Sequence, residues 1–453
     1  QRANSGPSPR YAHAMAYDAG RGVTVLFSGF DNAYNGETWV WDGVTWTLRS
    51  SSGPRPREGH AMAYDASRGV TVLYGGNTWY FPQTYSGETW EWDGVSWTHR
   101  ASTGPGMRFN HAMAYDSGRD ITVLFGGWTI GGAVNNETWE WNGISWTQRA
   151  TSGPSPRAYH SIAYDVGRGV TVLFGGETLH AEHFLGDTWE WNGVSWTQRA
   201  SSGPSPRSSH AMAYDASRGV TVLFGGHLGG SEVDGETWEW DGVSWTQRSS
   251  SGPIPRGWYA MAYDAGRRLT VLYGGSPGGG FTDDTWEWNG AAWSLRVSSG
   301  PSMRYEHAMV YDVGRRVCVL FGGYGIFGLS AETWEYNACV ATEPPEILSH
   351  PQSRMTLVGG TTVFSVEAAE DTSGLSYKWR KDGVELMDND RIVGTATDTL
   401  TITSLALDDT GSYDVLIANS CGEIASAAAQ LRVRPMFTPL QAIPVEKQSI
   451  VNQ

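Results

Sequence analysis

The chain of 453 residues lacks the features that mark several common protein classes. Its 32 lysines and arginines are outnumbered by 47 aspartates and glutamates, so the formal net charge is −15. This charge argues against a nucleic-acid partner, because phosphates are bound by clustered basic side chains. No apolar run is long enough to span a membrane. Lysine is absent before Lys378, cysteine occurs only three times, and no stretch has the period of an amphipathic helix.

What the sequence does have is a phrase repeated seven times between Gly6 and Trp334. One copy reads GPSPRAYHSIAYDVGRGVTVLFGG, then a variable loop, then GDTWEWNGVSWTQR. A period of about 50 residues indicates an array of small supersecondary units. The β-branched and aromatic runs, separated by Gly, Asn, Asp and Pro, predict four strands per copy. In the copy shown, strands A to D are predicted at residues 160–165, 170–174, 188–191 and 195–198.

The repeated residues resemble kelch repeats. The resemblance rests on the opening Pro-Arg, the aromatic pair of the third strand, and a glycine pair that closes strand B in six copies, with Ser28 and Gly29 in the first. It covers residues 1–340 and implies an all-β fold, a seven-bladed β-propeller in which strand A lies nearest the channel.

The seventh copy has no Ser-Trp-Thr run for its fourth strand. The opening QRANSGP matches the strand D ending QRATSGP at residues 148–154 in all but one position, so residues 1–4 are the favoured source of the missing strand. Residues 339–342 are the alternative. Pairing the two chain ends would remove an open sheet edge.

Residues 341–434 resemble an immunoglobulin-like β-sandwich. The resemblance implies that Trp379 is the core tryptophan and Tyr413 the corner tyrosine. Val366 and Val415 stand where family members usually place the disulfide between the sheets. Residues 435–453 have no clear pattern and are expected to be a tail or linker.

The three cysteines receive different assignments. The immunoglobulin resemblance places Cys339 and Cys421 at the same end of the sandwich, which implies a disulfide between them. Cys318, in strand B of the seventh copy, is expected to be a buried thiol without a disulfide. A disulfide and an immunoglobulin-like module favour an extracellular or cell-surface location, with a signal peptide already removed from a chain that starts at Gln1.

Residues that recur in nearly every copy are interpreted as packing residues. A histidine recurs on strand A, with Tyr259 in the sixth copy, and a glutamate recurs in the TWEW run of strand C. The arginines that recur beside them are the expected partners of these glutamates, as solvated or semi-buried pairs.

Residues that differ between copies are the better candidates for function. In kelch propellers the loop before strand A and the loop between strands B and C open on the same face. Large rings in loops indicate a contact surface for carbohydrate or for a protein partner, unless they only pack together and cap the channel. The predicted binding residues are Tyr11, Trp79, Tyr80, Phe109, Asn110, Trp128, Tyr159, Trp258, Tyr305 and Glu306.

A metal hypothesis rests on His180, His183 and His227, which lie near acidic residues in two neighbouring B–C loops. No other cofactor is expected. The kelch and immunoglobulin layout also resembles galactose oxidase, and the Tyr159-His160 pair is similar to a copper-ligand stretch of that family. However, His160 belongs to the repeated series, and no candidate exists for the family's Tyr-Cys crosslink.

The sequence therefore favours an extracellular, non-catalytic recognition or surface-assembly protein that binds carbohydrate or a protein partner. Two alternatives stay open. One is a carbohydrate-active enzyme such as a copper-radical oxidase. The other is a purely structural cell-surface or filament component, which would self-associate.

Overall fold

The computed structural model describes residues 1–3, 5–31, 35–80, 83–179, 183–200, 202–297, 300–337, 345–369, 375–419 and 422–435. The chain divides into two compact units, Gln1–Tyr336 and Asn337–Gln453. Within the described residues no helix has the length and apolarity that a membrane crossing requires. The one helix described there is a 3-10 turn at Leu407–Asp409.

The first unit contains seven antiparallel sheets of three or four strands, one per repeat and numbered here 1 to 7 along the chain, with shorter strand pairs in some of the loops. Strand A spans Ala14–Asp18, Ala61–Asp65, Ala112–Asp116, Ser161–Asp165, Ala211–Asp215, Ala260–Asp264 and Ala308–Asp312. Strand B spans Val23–Phe27, Val70–Tyr74, Ile121–Phe125, Val170–Phe174, Val220–Phe224, Leu269–Tyr273 and Val317–Phe321. Strand C spans Thr38–Trp41, Thr89–Trp92, Thr138–Trp141, Thr188–Trp191, Thr237–Trp240, Thr285–Trp288 and Thr333–Tyr336. Strand D spans Trp46–Ser50, Trp97–Ala101, Trp146–Ala150, Trp196–Ala200, Trp245–Ser249 and Trp293–Val297.

The predicted strands of the fourth copy are confirmed closely. Strands B and C have the predicted bounds, strand A begins one residue later, and strand D begins one residue later and runs two residues further. Strand B is buried along its whole length, because sheets pack against it on both faces. Strand D is largely exposed, so B lies in the interior and D at the outer edge.

The sheets follow one another in a regular order. Each strand A contacts the strand A of the next sheet, and the strand A of sheet 7 contacts that of sheet 1. Sheet 7 has three named strands, and its strand C pairs with the start of the chain. Ala3 bridges Thr333, the Arg2 amide donates to the Thr333 carbonyl at 2.9 Å, and the Arg2 guanidinium contacts Glu335 at 2.9 Å.

A buried carboxylate connects neighbouring sheets at every interface except the one between sheets 1 and 2. In sheet 3, the Oε1 atom of Glu140 accepts from Arg119 at 2.6 Å and from the indole of Trp191 in sheet 4 at 2.9 Å. Its Oε2 atom accepts from Arg149 at 2.7 Å. The prediction that arginines form semi-buried pairs with this glutamate series is confirmed, since the Glu140 side chain is buried while those of Arg119 and Arg149 are 30% and 44% exposed. Full burial is tolerated because both oxygens have charged donors.

Sheet 1 breaks this pattern. Val40 occupies the glutamate position, and the buried indole nitrogen of Trp92 in sheet 2 has no hydrogen-bond partner among the described residues. Between sheets 7 and 1 the bond is present, because the Trp41 indole donates to Glu335 at 2.9 Å.

The histidine series packs between neighbouring sheets. His160 exposes 8% of its surface and meets the Phe125 ring of the preceding sheet edge to face, at 5.4 Å between centroids. Tyr259 takes the same place in sheet 6, where its hydroxyl donates to the carbonyl of Phe224. Burial lowers the pKa of His160 to about 3, so the ring is neutral at pH 7.

The second unit is an antiparallel sandwich with one parallel pair. One sheet contains, in order, Arg354–Leu357, Ala429–Arg434, Gly411–Asn419, Ser376–Lys381 and Val384–Glu385, with Gly422–Ala425 paired to Gly411–Asn419. The second contains Thr362–Ser365, Thr399–Ile402 and Ile392–Val393, and Ile347–Ser349 pairs with Glu367–Ala368. The buried core of this unit lies between the two larger sheets.

The core of this unit contains the residues that the sequence indicated. Trp379, Val366 and Val415 belong to one buried cluster. The Tyr413 hydroxyl donates to the Asp409 carbonyl at 2.8 Å, which is the hydrogen bond expected of a corner tyrosine. Cys318, in the first unit, is buried and without a disulfide, as predicted. Cys339 and Cys421 lie outside the described residues, so their predicted disulfide stays a prediction.

Candidate functional site

The predicted binding residues lie on loops that the structure pairs within each repeat. In all seven repeats the first variable residue before strand A pairs with the first residue after the glycine pair of strand B. In sheet 3, for example, Phe109 pairs with Trp128, and in sheet 7 Tyr305 pairs with Tyr324. The two loops therefore open at the same end of each sheet. We call the surface formed by residues 11–12, 58–59, 109–110, 158–159, 208–209, 257–258 and 305–306 the loop face.

The residue directly before the histidine position of each repeat, which is the second residue of each two-residue segment of the loop face, has a left-handed backbone with φ between 51° and 60°. Six backbone hydrogen bonds of 2.9 to 3.3 Å connect these positions from one sheet to the next. Glycine adopts this conformation without strain, yet only one of the seven positions carries it. The seven residues are Ala12, Gly59, Asn110, Tyr159, Ser209, Trp258 and Glu306.

A continuous series of rings crosses the loop face from sheet 6 to sheet 1, and we call it the aromatic arc. Tyr305 lies 6.0 Å from Trp258 and 5.9 Å from Tyr324, measured between ring centroids. Phe281 stacks on Tyr305 at 5.5 Å, and Tyr11 lies 6.1 Å from Tyr324. The arc consists of Trp258, Phe281, Tyr305, Tyr324, Tyr11 and Phe30.

These rings are packed against one another and still present surface to solvent. Trp258 and Tyr324 each expose 39% of their surface, and Tyr159, across the loop face, exposes 36%. A second, smaller group lies at sheets 2 and 3, where Tyr85 stacks on Phe109 at 4.8 Å. Packing and exposure therefore occur together, which suits a rigid contact surface.

Carboxylates lie between the rings. Burial and the nearby charge of Glu58 raise the pKa of Glu306 to about 7. Burial is the main cause that raises the pKa of Tyr159 to about 12, and the negative charges of Glu177, Glu306 and Glu58 add to this effect. These side chains come from sheets 2, 4 and 7, so they converge across the loop face. The groups that act on the pKa of Tyr11 likewise include Glu58 and Glu306.

The structure places five of the ten predicted binding residues at the aromatic arc and the carboxylates near it, and three more at sheet 3. Tyr11, Trp258 and Tyr305 join the arc, while Glu306 and Tyr159 converge with Glu58. Phe109 belongs to the smaller group with Tyr85, its backbone pairs with that of Trp128, and Asn110 follows it directly in the chain. Of Trp79 and Tyr80, the structure describes only their place in the strand Asn77–Tyr80.

Sequence reasoning missed Phe30 and Phe281. Each lies in a B–C loop and interrupts the turn-forming residues around it. That interruption is the signal that could have identified them.

The metal hypothesis finds no support in the described part of the chain. His180 lies outside it, and no group of three potential metal ligands occurs within it. His227 instead packs against Trp258, with 4.1 Å between ring centroids and 46° between ring planes, and exposes 8% of its surface. The carbonyl of His183 accepts a hydrogen bond from the Thr178 amide at 3.1 Å.

Comparison with known proteins identifies part of the second unit. The family model described as immunoglobulin domain matches residues 344–419. A trigonal form of titin M4 is 28% identical, with 21% of this chain and all of that chain covered, at a TM-score of 0.20. A chimeric titin Z1Z2 carrying a decorin peptide is 25% identical, with 21% and 100% covered, at a TM-score of 0.19. No curated protein matches the sequence.

These findings confirm an immunoglobulin-like domain near the C-terminus, in an all-β chain with repeated sheets. An immunoglobulin-like domain fits a structural or interaction role, and the comparisons contain nothing that favours carbohydrate binding or catalysis. They leave the kelch resemblance of the repeats as a prediction.

Proposed function

We propose that the first unit is a seven-bladed β-propeller of the kelch type, with one blade per sheet. The proposal is supported by the contacts between successive A strands, which run from sheet 7 back to sheet 1. It is also supported by the pairing of Ala3 with Thr333, which would supply the outer strand of blade seven. The indole of Trp41 in sheet 1 donates to Glu335 in sheet 7, just as the indole of Trp191 in sheet 4 donates to Glu140 in sheet 3.

We further propose that the protein is a non-catalytic interaction protein that binds a protein partner through the loop face. The observation that carries this proposal is the aromatic arc, in which rings from three neighbouring sheets form one continuous and partly exposed surface. Rigid aromatic side chains contribute much contact area at little cost in conformational entropy. The immunoglobulin-like unit adds a second interaction or structural module.

Carbohydrate is the second candidate ligand. It is favoured by the exposed rings of Trp258 and Tyr159, because ring faces stack on the C–H faces of sugars. A glycan array probed with the wild-type chain tests it. Binding that is lost in Trp258→Ala would support a sugar ligand, while an array without signal would remove it.

The binding of a protein partner can be tested with a displayed library of random peptides. We expect the full chain to enrich peptides that the double variant Trp258→Ala, Tyr305→Ala fails to bind. A matched control is Val194→Ala, since Val194 is 82% exposed and lies in a C–D hairpin at the opposite end of strand C. Enrichment that the double variant retains would contradict the proposal, and so would a library that yields no binder.

We also propose an extracellular location, supported by the immunoglobulin-like domain and by the predicted disulfide between Cys339 and Cys421. Peptide mapping of the secreted chain without reduction tests it. Recovery of the two cysteines as alkylated thiols would oppose this location.

A further inference from the structure

We infer that the loop face recognises its partner through a cationic side chain, a lysine or an arginine, seated against the aromatic arc between Glu306 and Glu58. This inference rests on the proposed binding of a protein partner and adds the chemistry that selects it. The site combines aromatic rings with carboxylates, because neither group alone would select a cationic ligand.

The first argument is that Glu306 differs from the framework carboxylates, which recur in the repeats and are paired with arginine. The framework carboxylates, such as Glu140 and Asp187, are each paired with arginine at 2.6 to 2.9 Å. Among the described residues Glu306 makes no ion pair, and the charge that acts on it is that of another carboxylate, Glu58. A partly buried carboxylate beside a like charge is destabilised unless a cation joins it. The repeats themselves carry no lysine to supply one.

The second argument is the arrangement of rings. A cation is attracted to the face of an aromatic ring when it lies within about 6 Å of the ring centroid. Tyr305 is surrounded by Trp258, Phe281 and Tyr324 at 5.5 to 6.0 Å, and it directly precedes Glu306. A guanidinium or ammonium group placed on this part of the arc would meet ring faces and the carboxylate at once.

The third argument is that nothing cationic at the site opposes such a ligand. His227, the imidazole that packs against Trp258, is buried, and burial lowers its pKa. It is therefore neutral at pH 7 and adds no positive charge. Its Nε2 atom also has no hydrogen-bond partner among the described residues. The largest influences on the pKa of Tyr11, Tyr159 and Tyr305 include no lysine and no arginine.

The test uses capped pentapeptides and the full chain. The probes are Gly-Gly-Lys-Gly-Gly and Gly-Gly-Arg-Gly-Gly, with norleucine and citrulline replacing the central residue as neutral controls, titrated by tryptophan fluorescence at low salt. We expect the cationic peptides to bind about tenfold more tightly than their neutral counterparts. Equal affinity within each pair, or no binding of any peptide, would overturn the inference.

Matched variants locate the effect. Glu306→Gln and Glu58→Gln are expected to reduce the preference for the cationic peptides about tenfold and threefold respectively. Glu385→Gln removes the same charge from an exposed position in the second unit and should leave the preference unchanged. An unchanged thermal midpoint in each variant shows that the fold persists. Retention of the full preference in Glu306→Gln would contradict the inference.

The pH dependence gives a further readout that a structural role would not move. Glu306 faces Glu58, Tyr11, Tyr159 and Tyr305, and with a pKa of about 7 it is mostly protonated at pH 6 and mostly ionised at pH 8. Binding of the lysine peptide should therefore be about tenfold weaker at pH 6 than at pH 8. In Glu306→Gln this difference should disappear. A wild-type affinity that does not change between pH 6 and pH 8 would refute the role of Glu306.

Failure of this inference can be told apart from failure of the proposed function. Library peptides that require Trp258 and Tyr305 but contain no lysine or arginine would leave the function standing and remove the cationic ligand. Sugar binding that depends on the arc would do the same and replace the protein partner. A library without binders, together with silent pentapeptides, would refute both.

Discussion

The buried histidines make the stability of the repeat unit sensitive to acid, and one of them can be exchanged for the tyrosine that sheet 6 already uses. The perturbation is His160→Tyr, compared with wild type at pH 7.5 and pH 5.0. Tyr259 shows that a tyrosine fits this place, because its hydroxyl donates to the carbonyl of Phe224. The variant should therefore fold, and it has one titrating group fewer.

The sign of the effect follows from the two states. The pKa of His160 is about 3 in the folded chain and about 6.5 in the unfolded chain, so the unfolded state binds more protons between these values. The stability that depends on the neutral ring is fully present above about pH 6.5 and is lost progressively as the pH falls towards 3. At pH 5.0 one such histidine lowers the free energy of unfolding by about 2 kcal/mol.

The same burial lowers the pKa of His60, His210 and His307 to about 3. Together with His160 they would reduce the free energy of unfolding by about 8 kcal/mol at pH 5.0, which is comparable with the whole stability of a typical domain. Carboxylates whose pKa is lowered, such as Asp284, lose their contribution only at more acidic pH.

The assay is urea unfolding followed by tryptophan fluorescence, which reports the repeats because all but one of the 23 tryptophans precede Trp379. Between pH 7.5 and 5.0 the variant should lose about 2 kcal/mol less than wild type. His99→Gln, which removes an exposed histidine, should lose as much as wild type. If His160→Tyr and wild type lose the same amount, the neutral buried ring is not what makes the fold acid-sensitive.

Three further predictions concern the contacts between sheets. Val40→Glu should supply the missing acceptor for the Trp92 indole and raise the free energy of unfolding by about 1–3 kcal/mol, measured in urea; a lower midpoint would contradict it. Glu140→Val gives sheet 3 the valine that sheet 1 has at this position and leaves buried donors without partners, so the free energy of unfolding should fall by about 3–5 kcal/mol. A decrease below about 1 kcal/mol would contradict the prediction. Arg2→Ala should lower the free energy of unfolding by about 1 kcal/mol in thermal unfolding, and Arg149→Ala in sheet 3 should lower it by the same amount. If Arg149→Ala is destabilising and Arg2→Ala has no effect, the N-terminal contact is dispensable.

Sequence reasoning predicted the strands well because each repeat contains its own strand pattern and turn residues. The bounds of Val170–Phe174 and Thr188–Trp191 follow from β-branched and aromatic runs ended by glycine or asparagine. Partners within one repeat were also predictable, as the arginines bonded to Glu140 show.

Partners in different sheets were not predictable in this way. Trp191 bonds to Glu140 across 51 positions, and nothing local to either residue indicates that pairing. The left-handed backbone of Trp258 escaped prediction for a related reason. Its φ depends on hydrogen bonds with neighbouring sheets, while local preference would place glycine or asparagine there. The convergence of Glu58 with Glu306 likewise depends on how sheets 2 and 7 are arranged.

The bond between Trp41 and Glu335 has a consequence for how the repeats unfold. In a linear array the terminal repeats have one neighbour each, so they fray first and need special caps. Here strand A of sheet 7 contacts strand A of sheet 1. In the propeller that we propose no repeat would be terminal, and releasing any one would disrupt two interfaces. Between sheets 6 and 7 the Tyr336 hydroxyl donates to Glu287 in place of an indole, so among the described residues the interface between sheets 1 and 2 is the one without a ring donor bonded to a glutamate, because Val40 stands there. We therefore expect cooperative melting without frayed ends, with local opening and the fastest hydrogen exchange beginning at that interface.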